Sequence, residues 1–538
     1  MNVAVDEFGK PFVILRQQEQ KRLTGLDAHK ANIMAAKAVA DTLRSSLGPR
    51  GMDKIIVSPD GKVTVTNDGA TILDMMEIEH QCAKLLVDLS KSQDEEIGDG
   101  TTGVVILAGA LLERALRLLD RGLHPLRIAD GYEKACDIAI RRLEEIAAQQ
   151  DERYQPTGAE SLELYRKAAF TALGSKVVSS CQDHLAGIAV DAVLSVRDKE
   201  RKDVNLELIK IEAKTGGRLE DTCLVGGIVL TKEFSHSQMA KTVTDARIAI
   251  LSCPFEPPKS KTKSRIEIGT VEDYEKLQKC EKEYFENMVK RVVDSTANVV
   301  ICQWGFDDEA NHLLMKHGIS AVRWVGGAEL ELVAIATGGK IVGRFEDLDE
   351  SKLGRAGLVR EIASGVEHQE LIFIEQCSNT KSVTVLISGG NGVYVEETKR
   401  CIHDAICCVR NLVRDSRVLG GGGAPEIAAS IAIEAAAASF NTLEQFAVQA
   451  FSEALLDIPM ALADNSGLNV FDMVAKATQM QQANCHVGID CLRGTVGDLR
   501  EQGIFESLHS KVQQLSLATQ VVKMILKIDD VISPAEIQ

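Results

Sequence analysis

A chain of 538 residues is too long for one ordinary core, and at roughly 100 to 200 residues per domain it divides into about three or four. Hydrophobic residues make up 45% and charged residues 26%, an ordinary globular balance that excludes a disordered or fibrous chain. The formal charge of -17, from 78 acids against 61 bases, argues against free DNA or RNA as the main partner.

In chain order, the opening MNVAVDEFGKPFVILRQQEQK carries Asp6 and Glu7 and no uninterrupted apolar run, so it does not read as a secretion signal. The apolar run at 103–112 falls well short of the ~20 residues of a membrane span. The expectation is a soluble, cytoplasmic protein with no membrane partner. Thirteen cysteines include no C-x-x-C pair, and they read as reduced, buried thiols. Cys485, His486 and Cys491 form the nearest thing to a cluster, but a zinc site wants four converging ligands and these do not supply them.

Apolar spacing predicts a helix over 28–47, stopped by Gly48-Pro49. A hairpin follows in DKIIVSPDGKVTVTND, turning at Pro59-Asp60-Gly61. Helical patterns run from about 70 to 95, 101 to 119 and 125 to 149. From about 203 the texture changes to short β-branched runs separated by turns, an α/β segment that holds both tryptophans, Trp304 and Trp324. Within it, CPFEPPKSKTKSRIEIG cannot be a buried strand. It leads into a helical stretch with Tyr274, Leu277, Tyr284 and Met288 on one face, an excursion from the segment. After about 395 helices return, broken by the glycines 420–423. The two helical ends form either one domain into which the α/β part is inserted or two independent domains, and texture alone does not choose.

GDGTTG at 98–103 matches G-x-G-x-x-G. A dinucleotide site needs a buried strand before the glycines and a second strand ending in an acid about 20 residues on. Here the polar SKSQDEEI precedes Gly98, and Asp120 closes one unbroken helical pattern. The dinucleotide reading therefore fails on context. What remains is a phosphate loop at a helix N-terminus, with Gly100 and Gly103 allowing close backbone approach and Thr101 and Thr102 offering hydroxyls. Asp99 would repel phosphate unless a divalent cation lay between, so it reads as a Mg²⁺ ligand. Neither a Walker P-loop nor a protein-kinase set of motifs competes for the role.

LGPRGMDK (47–54), TNDGATIL (66–73), GDGTT (98–102), LGSK (173–176), HDA (403–405), GGGAPE (421–426), GID (488–490) and ILKIDD (525–530) occur in the order seen in group II chaperonins. The chain resembles that family over essentially its whole length. CPFEPPKSKTK and QWGFDDEANHLL narrow the likeness to one subunit type of the eukaryotic cytosolic chaperonin, CCT/TRiC.

The resemblance implies a multidomain α and α/β fold. A mainly helical equatorial ATPase domain is expected from 1–150 and 408–538, an intermediate hinge domain from 151–219 and 373–407, and an α/β apical substrate-binding domain from 220–372. A helical lid protrusion is expected at about 254–295. It implies ATP/ADP and Mg²⁺ as ligands, with Gly48, Pro49, Gly69, Gly100, Thr101, Thr102 and Gly103 near the phosphates and Asp99 on the metal. Ser175 and Lys176 stand on the hinge side. Gly421, Gly422 and Gly423 match the loop against the nucleotide, Asp490 the acid that takes the ribose, and Glu506 and Lys511 a segment lining the base pocket, where Ser507 replaces the family's usual proline.

Asp68 and Asp404 match the two catalytic aspartates, and Asp404, near the hinge, would reach the nucleotide only on closure. The implied partners are other CCT/TRiC subunits in a hetero-oligomeric double ring of eight-membered rings, and non-native proteins such as actin and tubulin. The implied activity is ATP-dependent protein folding, in which hydrolysis drives lid closure. The alternative is a chaperonin-like assembly scaffold without ATPase activity.

Overall fold

The computed structural model describes residues 3–5, 11–13, 25–148, 159–174, 178–198, 200–256, 268–364, 369–379, 381–440 and 443–530. The chain divides into two compact units, one from 1–155 with 417–538 and the other from 156–416. The fold is mixed helix and sheet.

The first unit begins with the short antiparallel strands β1 (Val3–Val5) and β2 (Pro11–Val13). Helix α1 (Leu26–Arg44) ends sooner than its apolar spacing predicts, because Ser45–Leu47 turn toward the Gly48 loop. The predicted hairpin forms from β3 (Lys54–Val57) and β4 (Val63–Thr66), closed by the Gly61 amide donating to the Ser58 carbonyl at 2.8 Å. The pattern expected as one helix from 70 to 95 is two, α2 (Gly69–Met75) and α3 (Gln81–Glu96). The backbone extends at Met76 and again at His80, whose side chain caps α3 by accepting from the Cys82 amide. Helices α4 (Thr101–Asp120) and α5 (Pro125–Ala148) follow, α4 unbroken as its pattern requires.

The second unit carries α6 (Ala159–Ala172) and α7 (Gln182–Val196), then strands β5 (Ile209–Thr215), β6 (Cys223–Val225), β7 (Gly227–Leu230) and β8 (Thr242–Leu251). After them come α8 (Val271–Asp294), β9 (Val299–Cys302), α9 (Asp308–Lys316), β10 (Ser320–Val322), α10 (Gly327–Thr337) and β11 (Ile341–Val342). It ends with β12 (Gly354–Ser364), β13 (Gln369–Cys377), β14 (Val383–Gly389) and α11 (Gly392–Arg414). The main sheet runs β10-β9-β8-β12-β13-β7 with β11 beside β8. It is parallel across β8, β9 and β10 and antiparallel through β12, β13 and β7. Its core is aromatic at one end, where Phe255 packs edge-on against Phe306 and Phe345 at 5.0 and 4.7 Å. On α8 the predicted apolar face is covered only near its C-terminal half: Met288 is buried, while Tyr274, Leu277 and Tyr284 stay exposed.

The chain then returns to the first unit with β15 (Val418–Gly420), α12 (Ala424–Ala437), α13 (Glu444–Leu455), α14 (Asp457–Asn465) and α15 (Val470–Gln481). The hairpin β16 (Val487–Asp490) and β17 (Thr495–Asp498), strand β18 (Phe505–Ser507) and α16 (Leu508–Leu526) close it. One hydrophobic core joins α1, α3, α4 and α5 to α12, α13 and α16, so the two helical ends of the chain bury one another. Tyr132 of α5 meets Phe451 of α13 edge-to-face at 5.6 Å, and its hydroxyl donates to the Leu111 carbonyl at 3.0 Å. Such a pair adds roughly 0.5–1.5 kcal/mol beyond its buried area.

Among the described residues one stretch, Glu444–Asn465, is long and apolar enough to cross a membrane. It is 67% buried in this core, and it contains Asp457, paired with Arg114 at 3.3 Å. All thirteen cysteines are free. The sequence suggested buried thiols, but Cys223 and Cys280 are exposed. Burial pushes the Cys302 thiol up to about 12.

Candidate functional site

The glycine-threonine loop opens helix α4 as expected. Gly100 is its N-cap in the left-handed region at φ 77°, where a side chain would be strained, and among the described residues no side chain caps the helix. The first amides of a twenty-residue helix are therefore left for a ligand or water, with the positive end of the dipole behind them. Thr101 is turned inward, 7% exposed, and its Oγ1 donates to Asp68 Oδ1 at 3.0 Å.

Asp68 is the N-cap of α2. It accepts from the Ala70 amide at 3.3 Å, the Thr71 amide at 2.9 Å and the Thr71 hydroxyl at 2.7 Å. With Thr101 these donors match the roughly four acceptor positions of a carboxylate, so Asp68 clamps α2 to α4. A methyl on Gly69 would lie 2.9 Å from the Thr102 backbone, and one on Gly103 would lie 2.2 Å from Gln514 Nε2. These glycines are fixed by close approach, Gly69 of α2 to α4 and Gly103 of α4 to α16.

Asp99 is the opposite case. Its backbone carbonyl accepts from Gln93 Nε2 at 2.8 Å, yet among the described residues its half-buried carboxylate has no hydrogen bond or ion pair. Also among the described residues, no three His, Cys, Asp or Glu side chains gather to hold a metal. One uncommitted carboxylate beside an open helix N-terminus fits Mg²⁺ that draws its other ligands from phosphate and water. It does not suit a protein-only cage.

The remaining glycine loops are backed by α14. A methyl on Gly48 would lie 2.6 Å from Leu462 Cδ2, and one on Gly423 would lie 2.9 Å from Pro459 Cβ, one turn earlier. Asn465 Nδ2 donates to the Arg44 and Leu47 carbonyls at 2.9 and 2.7 Å, fixing the path into Pro49. Gly423 is the left-handed N-cap of α12, again without a side-chain cap. Gly421 and Gly422 press against Ile504 and Ile489, which brings the end of β16 beside the loop. There Asp490, 2% exposed, accepts the Leu492 and Arg493 amides through Oδ1 at 3.0 Å each. Its Oδ2 is enclosed without a hydrogen bond among the described residues, 3.9 Å from Arg493 Nε.

Glu506 and Lys511, both half-buried, form a charge cluster with the buried Glu426, a partner the sequence reading did not single out. Lys511 Nζ lies 2.7 Å from Glu426 Oε1 and 2.7 Å from Glu506 Oε2. Burial alone would lower the Lys511 pKa, but the carboxylates of Glu426 and Glu506 outweigh it and hold it above its usual value. Burial raises the Glu506 carboxyl, with Lys511 opposing. Lys511 is thus committed to carboxylates, tying the start of α12 to β18 and α16. A cavity of about 10 Å³ beneath Glu426, Lys511 and Gln514 has room for about one water and none for a nucleotide.

Gln93, Gln514 and Asn465 were also missed. Ser175 and Lys176 lie outside the described residues. Asp404 is half-buried on α11 and belongs to the second unit, so the geometry of the first unit does not include it.

A model of the TCP-1/cpn60 chaperonin family matches residues 39–536. The chain is 47% identical over 535 residues to T-complex protein 1 subunit epsilon of Encephalitozoon cuniculi, covering 99% of each. It is 42% identical to a thermosome subunit of Methanopyrus kandleri, covering 98% of this chain and 95% of that one. The corresponding figure for a thermosome subunit of Methanocaldococcus jannaschii is 41%, covering 98% and 96%. The likeness to the epsilon type agrees with the subunit type that CPFEPPKSKTK and QWGFDDEANHLL suggested. With whole-length identity of this order and a family model over nearly the whole chain, the protein belongs to the TCP-1/cpn60 chaperonin family of ATP-dependent folding machines, on its group II side.

Proposed function

We propose that the first unit is the equatorial domain and binds Mg-ATP at the convergence of the 47–51, 98–103 and 420–423 loops. The second unit then comprises the intermediate and apical domains with their lid protrusion. The observation that carries the nucleotide site is the pairing of an uncapped α4 N-terminus with the uncommitted carboxylate of Asp99 beside it. Bound there, Mg²⁺ neutralises charge on the phosphates.

The chain's own residues do the positioning. The α4 amides receive phosphate oxygens, Asp68 keeps Thr101 and the α2 start in register, and Gly421 to Gly423 hold backbone close to the nucleotide. On the resemblance, Asp490 meets the ribose, Glu506 and Lys511 brace the base pocket, and Lys176 with Ser175 faces the terminal phosphate. Asp404 orients or accepts a proton from the attacking water.

In this reading the chain is one subunit of a cytosolic hetero-oligomeric double ring that encloses non-native proteins such as actin and tubulin and hydrolyses ATP to close its lid. Titration calorimetry of the full-length chain with ADP tests the nucleotide site. Binding strengthened by Mg²⁺ is expected, and strengthening by Mg²⁺ is expected to disappear in Asp99→Ala. Absence of ADP binding, or Mg²⁺ dependence unchanged in the variant, would overturn the site. Electron microscopy of the complex purified with its natural partners tests the ring, and a chain that stays monomeric among them contradicts it.

A further inference from the structure

Gln93 lies in α3, outside every motif that carries the family likeness, and is fully buried at 0% exposure. Its backbone carbonyl accepts from both the Ile97 amide at 3.0 Å and the Gly98 amide at 3.1 Å, closing the end of α3. Its side chain crosses the same turn, and Nε2 donates to the Asp99 carbonyl at 2.8 Å. One residue thus grips the segment between α3 and α4 at both ends.

The other half of the amide is idle, since Oε1 is buried with no hydrogen-bond partner among the described residues. An amide buried with one end unsatisfied is destabilising where a methionine of similar volume would not be. Core packing therefore does not explain a glutamine here, whereas the single bond it makes does. That bond fixes the peptide plane between Asp99 and Gly100, and Gly100 then turns into α4 at φ 77°. With this plane fixed, the Asp99 Cα–Cβ direction is set by the fold before any ligand arrives. Among the described residues the carboxylate has no hydrogen bond or ion pair of its own to hold it.

We propose that Gln93 is a positioning residue for the cation at Asp99, acting through the Asp99 main chain to preset the carboxylate toward Mg²⁺. This rests on the nucleotide reading of the loop. Groups that orient a metal ligand from behind typically account for 10- to 100-fold in metal affinity.

The test is ADP binding by the full-length chain across a Mg²⁺ series, read by calorimetry, for wild type, Gln93→Met and Ser90→Ala. Ser90 is a control. It is equally buried and its hydroxyl makes a 3.5 Å contact to the Thr101 carbonyl without touching Asp99. Gln93→Met is expected to raise the Mg²⁺ concentration for half-maximal strengthening by about tenfold or more, with ADP affinity in EDTA little changed. Ser90→Ala is expected to lower the melting temperature without that shift.

Equal weakening of ADP binding with and without Mg²⁺ in Gln93→Met would overturn the proposal, leaving Gln93 as a helix-end support only. So would a Mg²⁺ shift of the same size in Ser90→Ala. Should Gln93→Met not fold, Gln93→Asn withdraws the amide by one methylene and carries the same expectation. Wild-type binding of ADP with no Mg²⁺ dependence would instead overturn the metal reading of Asp99, a separate result visible before any Gln93 variant is made.

Discussion

The Thr101 hydroxyl donates to Asp68 Oδ1 across 3.0 Å, joining residues 33 apart in sequence at the starts of two helices. The same carboxylate caps α2. Asp68→Ala is expected to destabilise the first unit by about 1–2 kcal/mol, an N-cap and a second hydrogen bond together. Thr101→Val should cost about 1 kcal/mol. Chemical denaturation of both single variants and the double checks this. Losses that add fully would show that the two residues do not act through one bond.

The half-buried cluster around Lys511 makes a larger prediction. Removing the ammonium in Lys511→Ala leaves Glu426 and the half-buried Glu506 facing one another without compensation, with an expected loss of ~2–3 kcal/mol, below that of a fully buried pair because solvent screens Glu506. Converting all three to apolar residues of similar volume should recover most of it, as measured by the denaturation midpoint.

Acid sensitivity should arise partly from His486. Burial, then Arg500, lowers its pKa from the ordinary 6.5 to about 4, with Asp498 opposing. The unfolded chain therefore binds the extra proton first, so this contribution is complete above pH 6.5 and is lost as pH falls toward 4. It amounts to something on the order of 3 kcal/mol. Asp498 acts lower still. Despite its burial, hydrogen bonds from Arg500 and Asn484 depress its pKa from 3.8 to about 2, so its stabilisation disappears only as pH drops through that range. His486→Gln should flatten the stability profile between pH 4 and 6.5 and leave the steeper loss below it.

Glycines separate close approach from simple chain freedom. A methyl on Gly69 meets the Thr102 backbone at 2.9 Å, whereas one on Gly187, inside α7, meets nothing within 4 Å. Gly69→Ala should therefore destabilise, while Gly187→Ala should stabilise by about 0.5–1 kcal/mol through its helix preference. Thermal unfolding of the two variants gives opposite signs if the packing is as described.

Local pattern carried much of this architecture. The 54–66 hairpin, the unbroken α4 and the α/β texture of the middle were readable because strand and helix periods differ and turn residues have fixed geometry. The metal reading of Asp99 remains a proposal, drawn from the chemistry that a carboxylate in a phosphate loop is out of place without a cation. The break between α2 and α3 was not readable, since residues 76–80 lack glycine and proline, and its one local signal is His80, which caps the next helix. Gln93, Gln514, Asn465 and Glu426 were invisible for a different reason. Each acts on a loop through a tertiary contact, and nothing in a sequence distinguishes a buried amide or acid of this kind from a solvated one. The exposed Tyr274, Leu277 and Tyr284 show the converse limit, a helical face correctly read as apolar that the fold leaves uncovered.

On the proposed function, Asp99 turns a glycine-threonine loop into a working ATP site. The direct measurement is steady-state ATP hydrolysis by the complex assembled with its natural partners, carrying Asp99→Ala in this chain alone, with the turnover of the other subunits subtracted. This chain's share is expected to fall by at least ~10²-fold. Turnover equal to wild type after subtraction would contradict it and leave an assembly scaffold in its place.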